Sequence, residues 1–302
     1  MSAVISIRGL TKRFGSKTVV DRLDLEVPQG AIYAFLGDNG AGKTSTIKVL
    51  VGMHPPDGGT AKILGQDCWS KAISLRHRVG YVPERPRFYE WMTVAEIGWF
   101  TSTFHRNGFL GKFKEAVAYL GLYAKKRLRD LSKGGYARVA LALALAADPE
   151  VLIMDEPTSG LDLLTRRDFL ASLVDRAAEG RTVFISSHGI AELERVASHV
   201  GLLNNGKLIM SGTVEEVKSH FTRLLFRVQG DAPDLTNLGV VLHRQNLGKQ
   251  VEILIQSPIN GIAEKVRNYP GVTDLEESVP SLEDIYAAVM RHVGLASKGA
   301  SQ

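Results

Sequence analysis

The sequence predicts an α/β protein built on a mostly parallel sheet, with an N-terminal antiparallel β-subdomain, a helical subdomain and a small C-terminal α+β appendage. Two observations carry the parallel sheet. The short runs AIYAFLG (31–37), VLIMD (151–155) and TVFIS (182–186) are almost wholly apolar, as strands buried on both faces are. Helical segments alternate with them, which places helices over both faces of the sheet. A third observation fixes the chemistry at the end of the first such strand. Residues 35–50 read FLGDNGAGKTSTIKVL, and Gly37, Gly42, Lys43 and Thr44 fit the phosphate-loop pattern G-x-x-x-x-G-K-[ST].

Strand, loop and helix in that order are what phosphate binding requires, so the core is expected to be a P-loop NTPase. Glycines let backbone N–H groups crowd around phosphate oxygens, and the helix N-terminus adds its positive end. Lys43 is expected to reach the β- and γ-phosphates, and the Thr44 hydroxyl to hold Mg²⁺.

Ahead of the loop, residues 4–8 and 19–27 alternate like half-exposed strands around a Gly15-Ser16 turn, and Pro28-Gln29-Gly30 turns the chain into the core. After the loop helix, HPPDGGT is a turn, AKILG a short strand and RVGYVPE (78–84) another. From about 88 to 135 the character changes, because ten of the 22 aromatic residues fall between Phe88 and Tyr123. Helices are expected at Thr93–Phe104 and Gly111–Leu120, and the aromatics are either the core of this insert or a groove for a partner helix. The run VALALALAA (139–147) alternates like a strand, but its small partners are Ala and β-branched residues are scarce, so a helix starting near Ser132 is expected. Beyond VLIMDEP, a helix over Leu163–Ala178, the strand TVFIS, a polar helix around 189–198 and a hairpin turning at Asn205-Gly206 complete the core. Past residue 220 three strands, a helix with a turn and a capped helix from Ser281 make up the appendage.

Composition narrows the setting. A length of 302 residues leaves room for one large and one small domain. Charged residues at 23% and hydrophobic ones at 44% are ordinary for a globular chain, which confines expected disorder to the tail. A net charge of +5 suits an anionic surface or a nucleotide without choosing between them. The densest basic run, Lys125-Lys126-Arg127 with Arg129, reads as a solvated face, with a binding patch as the alternative. Cys68 is the sole cysteine, so disulfide frameworks and Cys-based metal sites are excluded and a reducing cytosol is expected. The longest apolar run, Val139 to Ala147, is too short to cross a bilayer, and the N-terminus lacks a signal-peptide layout. Service to a membrane would come from outside the bilayer.

Asp155 and Glu156 close an apolar strand. One carboxylate can serve a metal while the other, pointing the opposite way, orients an attacking water. LSKGG (131–135) lies just upstream of them, SGLD (159–162) just downstream, and ISSH (185–188) follows. In this order the motifs resemble the ATP-binding subunit of an ABC transporter, over residues 4 to about 217. The expected organisation is an ATPase domain over 1–219 with its helical insert at about 88–135, an accessory domain over 220–294 and a flexible tail over 295–302.

The resemblance implies roles. Gly37, Asp38, Asn39, Gly40, Ala41, Gly42, Lys43, Thr44 and Ser45 would surround the ATP phosphates. Phe14 would stack on adenine, or else be a strand-edge core residue. Ser132 and Gly134 of the signature loop would bind the γ-phosphate held by a second subunit, and Asp162 would join the two sites across the dimer. Thr44, Glu84 and Asp155 would hold Mg²⁺, Glu156 would be the catalytic base, and His188 would contact the γ-phosphate beside Lys43. Two positions depart from the pattern. Glu84 stands where the family has a glutamine, and Lys133 and Gly135 replace the commoner residues of the signature. These departures and the appendage resemble the bacterial exporter branch whose permease is a separate chain.

The implied activity is ATP hydrolysis by a dimer that drives that permease from the inner face of the membrane, with no nucleic acid expected. A soluble ATPase acting on nucleic acid or ribosomes, and a non-hydrolysing ATP-binding regulator, are the alternatives.

Overall fold

The computed structural model describes residues 3–105, 108–229, 235, 237–256 and 261–299. They group into two compact units, one of residues up to 189 together with 196–211, the other of 190–195 together with residues from 212 onward. Residues 212–219, placed by sequence in the ATPase domain, thus group with the appendage.

The first unit begins with β1 (Ala3–Phe14) and β2 (Lys17–Pro28), an antiparallel hairpin in which Phe14 faces Lys17 across Gly15-Ser16. β3 (Ile32–Gly37) is buried along its whole length and leads through the phosphate loop into α1 (Lys43–Leu50). β4 (Gly58–Ile63) returns antiparallel to β1, and β5 (Gln66–Asp67) completes the sheet β2-β1-β4-β5. Gly59 has no alternative in that return, since φ is +73° and a Cβ would come within 2.3 Å of the Gly9 carbonyl oxygen.

Next come α2 (Ala72–Leu75), β6 (Val79–Val82), α3 (Val94–Ser102), α4 (Phe109–Tyr119) and α5 (Lys133–Ala146). The alternating VALALALAA run is therefore helix, capped where the sequence places the cap, with the Ser132 side chain accepting from the Gly135 N–H. β7 (Val151–Asp155), α6 (Leu163–Ala178) and β8 (Thr182–Ser187) follow. The helix expected over 189–198 is only α7 (Ile190–Leu193). Its sequence carries few apolar residues to bury beyond Leu193, and the chain extends again by β9 (His199–Asn204). β10 (Lys207–Thr213) pairs with β9 through Asn205 and Gly206, both at positive φ, the turn that matches strand twist.

The central sheet runs β10-β9-β3-β8-β7-β6, with β9, β3, β8, β7 and β6 parallel. Every residue of β7 and β8 is buried. Tyr33 stacks on Phe184 at 5.5 Å and Phe35 meets the same ring at 5.2 Å, so β3 and β8 share one aromatic core. Parallel strands present their carboxyl ends together, and that edge is where an α/β sheet of this kind binds ligands.

The second unit contains α7, α8 (Val214–Ser219), β11 (Phe221–Val228), β12 (Val240–Leu247), β13 (Gln250–Gln256), α9 (Ile262–Arg267), β14 (Val272–Ser278) and α10 (Leu282–Gly299). Its antiparallel sheet, β12-β13-β11-β14, buries Leu224, Phe226, Ile253 and Ile255 against Ile262 and Val266 of α9. Glu194, the residue after α7, ties this unit together, pairing with Lys218 and accepting from the Leu282 N–H at 3.0 Å. The sequence missed β14, whose residues are mostly exposed and carry little apolar pattern. α10 starts at the expected Ser281 cap, which accepts from the Asp284 N–H at 3.1 Å. It runs through 295–299 of the expected tail, a stretch with no proline to stop it, while 300–302 lie outside the described residues.

Candidate nucleotide site

Four neighbouring parallel strands deliver the site. β3 ends at Gly37, β8 at Ser187 before His188, β7 at Asp155 before Glu156, and β6 at Val82 two residues before Glu84. A cleft of about 510 Å³ at this edge is lined by Asp38, Asn39, Gly40, Gly42, Lys43, Thr44 and Ser45. Glu84, Lys133, Ser159, Glu156 and His188 line it as well.

The loop is shaped by its own backbone. The Ala41 N–H donates to the Asp38 carbonyl at 3.1 Å, and the Ala41 carbonyl accepts from Gly206 at 2.8 Å. Gly42 caps α1 at φ +111°, and a Cβ there would lie 2.7 Å from the Val19 carbonyl oxygen, so the helix N-terminus can face the cleft only with glycine. Gly37 and Ala41 do not line the cleft; they carry the turn.

Lys43 is 5% exposed, unusual for an ammonium group unless it is paired. It donates to the Gly37 and Asp38 carbonyls and lies 3.3 Å from Glu156 Oε1. Glu156 Oε2 is 2.7 Å from His188 Nδ1 and accepts from the His188 backbone N–H at 3.3 Å. Lys43, Glu156 and His188 are thus one connected set. Glu156 stands one residue past β7 at φ +49°, held by donation of its N–H to Ser186. Its direction comes from this left-handed turn rather than from strand alternation, and such strain clusters at functional positions.

Asp155 is 1% exposed and accepts from Ser186 Oγ at 2.6 Å. Burial pushes its carboxyl above the ordinary aspartate value, the Ser186 and Thr44 hydroxyls pull the other way, and the charges of Glu156 and Glu84 add to the rise. A carboxyl raised in the folded state keeps its proton longer there than in the unfolded chain. Its favourable contribution is present below the ordinary value and is lost as pH rises through the folded value. Stability of the nucleotide-free chain measured relative to Asp155→Asn is therefore expected to fall as pH is raised from about 3.8 in urea unfolding. A flat difference would show that the carboxyl is not raised.

The donor set can be tested against Mg²⁺. Thr44 and Asp155 offer hard oxygen ligands, with Glu84 close enough to act on the Asp155 charge. Glu156 Oε1 is buried without a hydrogen bond, although the Lys43 ammonium balances its charge. Among the described residues no group of three or more His, Cys, Asp or Glu could hold a metal alone. That fits Mg²⁺ carried by one or two carboxylates and substrate phosphates.

Other expected residues stand apart from this set. Phe14 does not line the cleft; it is 47% exposed, edge-on to His54 at 5.7 Å, with Lys12 Nζ 5.5 Å from its ring centre. Such exposure removes the core reading of Phe14. Ser132 caps α5, and Gly134 allows close approach to Gly160, whose carbonyl would sit 3.0 Å from a Cβ at 134. Asp162 caps α6, accepting from the Thr165 N–H at 2.9 Å and its hydroxyl at 2.7 Å, which lowers its pKa. Two polar contacts escaped the sequence reading. Ser186 serves Asp155 and Glu156 at once, and Lys133 reaches Ser159 Oγ at 3.4 Å. The first had a signal in the SSH triplet; the second had none.

The sequence profile of the ABC transporter family matches residues 20–159, and that of an AAA domain matches residues 127–194. The bacitracin transport ATP-binding protein BcrA of Bacillus licheniformis is 36% identical over 230 residues, covering 74% of this chain and 74% of BcrA. The chain belongs to the ATP-binding subunits of ABC transporters. The family is one of ATP-binding ATPases. Nod factor export ATP-binding protein I of Ralstonia nicotianae is also 36% identical, over 72% of this chain and 69% of the relative. Daunorubicin/doxorubicin resistance ATP-binding protein DrrA of Streptomyces peucetius, at 29% identity, covers 95% of this chain and 92% of its own, appendage included. A solved ATP-binding subunit of an ABC transporter superposes with a TM-score of 0.67 at 25% identity, over 72% of this chain and 92% of that one.

Proposed function

We propose that this ABC subunit binds and hydrolyses ATP as half of a dimer and powers export through a separate membrane permease. The observation that carries the reading is the connected set Lys43–Glu156–His188 beside Asp155, at the mouth of a phosphate loop. Backbone N–H groups of residues 38–45 cradle the phosphates, and Lys43 transfers its charge from Glu156 to them. Freed of Lys43, the Glu156 carboxylate accepts the proton of the attacking water, and His188, bonded to it, turns toward the γ-phosphate. Thr44 and Asp155, with Glu84 beside them, would hold Mg²⁺, which would supply neutralising charge to the phosphates. Phe14, exposed on its strand edge, is free to stack on adenine. Ser132 and Gly134 complete the site of a second subunit, and Asp162 lies between the two.

Export is supported by relatives named for Nod factor export and for drug resistance. Among the described residues no helix is long and apolar enough to cross a membrane. Relatives named as transport and export ATP-binding proteins support attachment to the inner face of the cell membrane through the permease. A second cleft of about 550 Å³ between Arg87, Phe88, Leu131 and Tyr136 would receive a permease helix. Tagged chain purified from detergent-solubilised membranes is expected to bring a polytopic membrane protein in fixed ratio. Salt-sensitive RNA without such a protein would contradict the reading.

A further inference from the structure

Glu84 and Lys133, the two charged departures from the family pattern, come from separate loops and line the same cleft beside the phosphate loop. The cations of that cleft are Lys43, Arg85 and Lys133, and its carboxylates are Asp38, Glu84 and Glu156. Lys43 is paired with Glu156, whose other oxygen meets His188, and Arg85 lies 3.4 Å from Glu84. Lys133 is exposed and makes no ion pair among the described residues; its Nζ stands 3.4 Å from the neutral Ser159 Oγ. Ser159 is tied to Glu156 in turn, its N–H donating to the Glu156 carbonyl at 3.1 Å.

The stem of Lys133 is placed as well. A Cβ on Gly160, at φ +85°, would lie 3.0 Å from Lys133 Cδ and 3.4 Å from Cε, so the methylenes run over a residue that glycine alone suits. An unpaired ammonium is thus held on the turn that carries Glu156. A triphosphate entering this cleft meets three carboxylates, and the charge of Glu84 is felt as far as Asp155. Without Lys133 the carboxylates would outnumber the cations three to two. Ammonium groups bind phosphate as point charges and need no fixed fork geometry. We propose that Lys133 is a second phosphate lysine of its own subunit's cleft, contacting the terminal phosphate of ATP and offsetting the charge of Glu84. Ser132 and Gly134 serve a second subunit in the reading above, so the signature loop is divided between the two sites. The role of Lys133 rests on ATP occupying this cleft, which binding to the wild-type chain tests separately.

The full chain is diluted until light scattering shows a monomer, then titrated with fluorescent analogues of ATP and of ADP in the presence of Mg²⁺. Lys133→Met keeps the stem over Gly160 and removes the charge. It should weaken ATP binding roughly tenfold and change ADP binding by less than about twofold, while Lys133→Arg should hold ATP affinity within about threefold. Glu84→Gln keeps an oxygen for the metal and should tighten ATP binding about threefold, so that Lys133→Met with Glu84→Gln returns toward the wild-type value. Unchanged ADP affinity shows that the variants are folded. A wild-type chain that binds neither analogue would contradict the nucleotide reading and the role of Lys133 with it. Where the wild type binds, four results overturn the role of Lys133 alone: no loss of ATP affinity in Lys133→Met, equal losses for ATP and ADP, a double variant as weak as Lys133→Met, or a loss seen only after the chain is concentrated into a dimer. The last would assign the lysine to the partner's nucleotide.

Discussion

Glu156→Gln is expected to slow ATP turnover by about 10² to 10⁴-fold while leaving ATP binding intact. Gln keeps the length and the hydrogen-bonding shape of Glu, so contact with His188 Nδ1 at 2.7 Å can survive in one amide orientation. What it loses is the ability to take a proton. It also removes the carboxylate 3.3 Å from Lys43, so the ammonium is more available to phosphate and affinity for ATP should hold or rise. Single-turnover hydrolysis and equilibrium binding of a fluorescent ATP analogue separate the two effects. Turnover within a few-fold of wild type would remove Glu156 from the role of base.

Lys43→Ala should abolish ATP binding and, independently, destabilise the nucleotide-free chain. The Lys43 and Glu156 side chains are only 6% and 8% exposed, so truncating the lysine leaves a buried carboxylate without its cation. Breaking such a pair costs about 3 kcal/mol. His188 remains hydrogen-bonded to Glu156 and offsets part of this. The double variant Lys43→Ala with Glu156→Gln should recover most of the lost stability, because no buried charge is left, but none of the ATP binding. Urea unfolding of the four proteins gives the coupling directly. If the single and double variants unfold alike, the pair carries no such energy.

Strands β3, β7 and β8 were legible because burial on both faces forces apolar residues at every position. The phosphate loop was legible because Gly42 has no substitute at φ +111° against the Val19 carbonyl. Residues whose job depends on side-chain chemistry alone were harder to read. Sequence order suggested that Asp155 and Glu156 diverge by strand alternation, whereas a left-handed residue at 156 sets the geometry. That turn leaves no trace in composition. Asp162 shows the converse problem, since a helix cap and an intersubunit contact ask for the same residue, and the cap alone accounts for its presence at the start of α6. The basic run at 125–129 was ambiguous for a different reason. Its neighbours across the Thr93–Arg127 bridge are more than thirty positions away in sequence, and only the folded chain sets it beside Trp91.

The central claim is that Lys43 occupies half a site whose other half, Ser132 and Gly134, belongs to a second copy or a close relative. Mixing two inactive variants tests it most directly. Lys43→Ala lacks a phosphate loop but keeps its signature loop, and Ser132→Arg keeps the phosphate loop but blocks the signature. Each alone should be inactive. In their mixed dimer one composite site is intact, so hydrolysis should return to about a quarter of wild type when the chains associate at random. Activity of Ser132→Arg alone near the wild-type level, or a mixture no more active than its parts, would contradict the shared site.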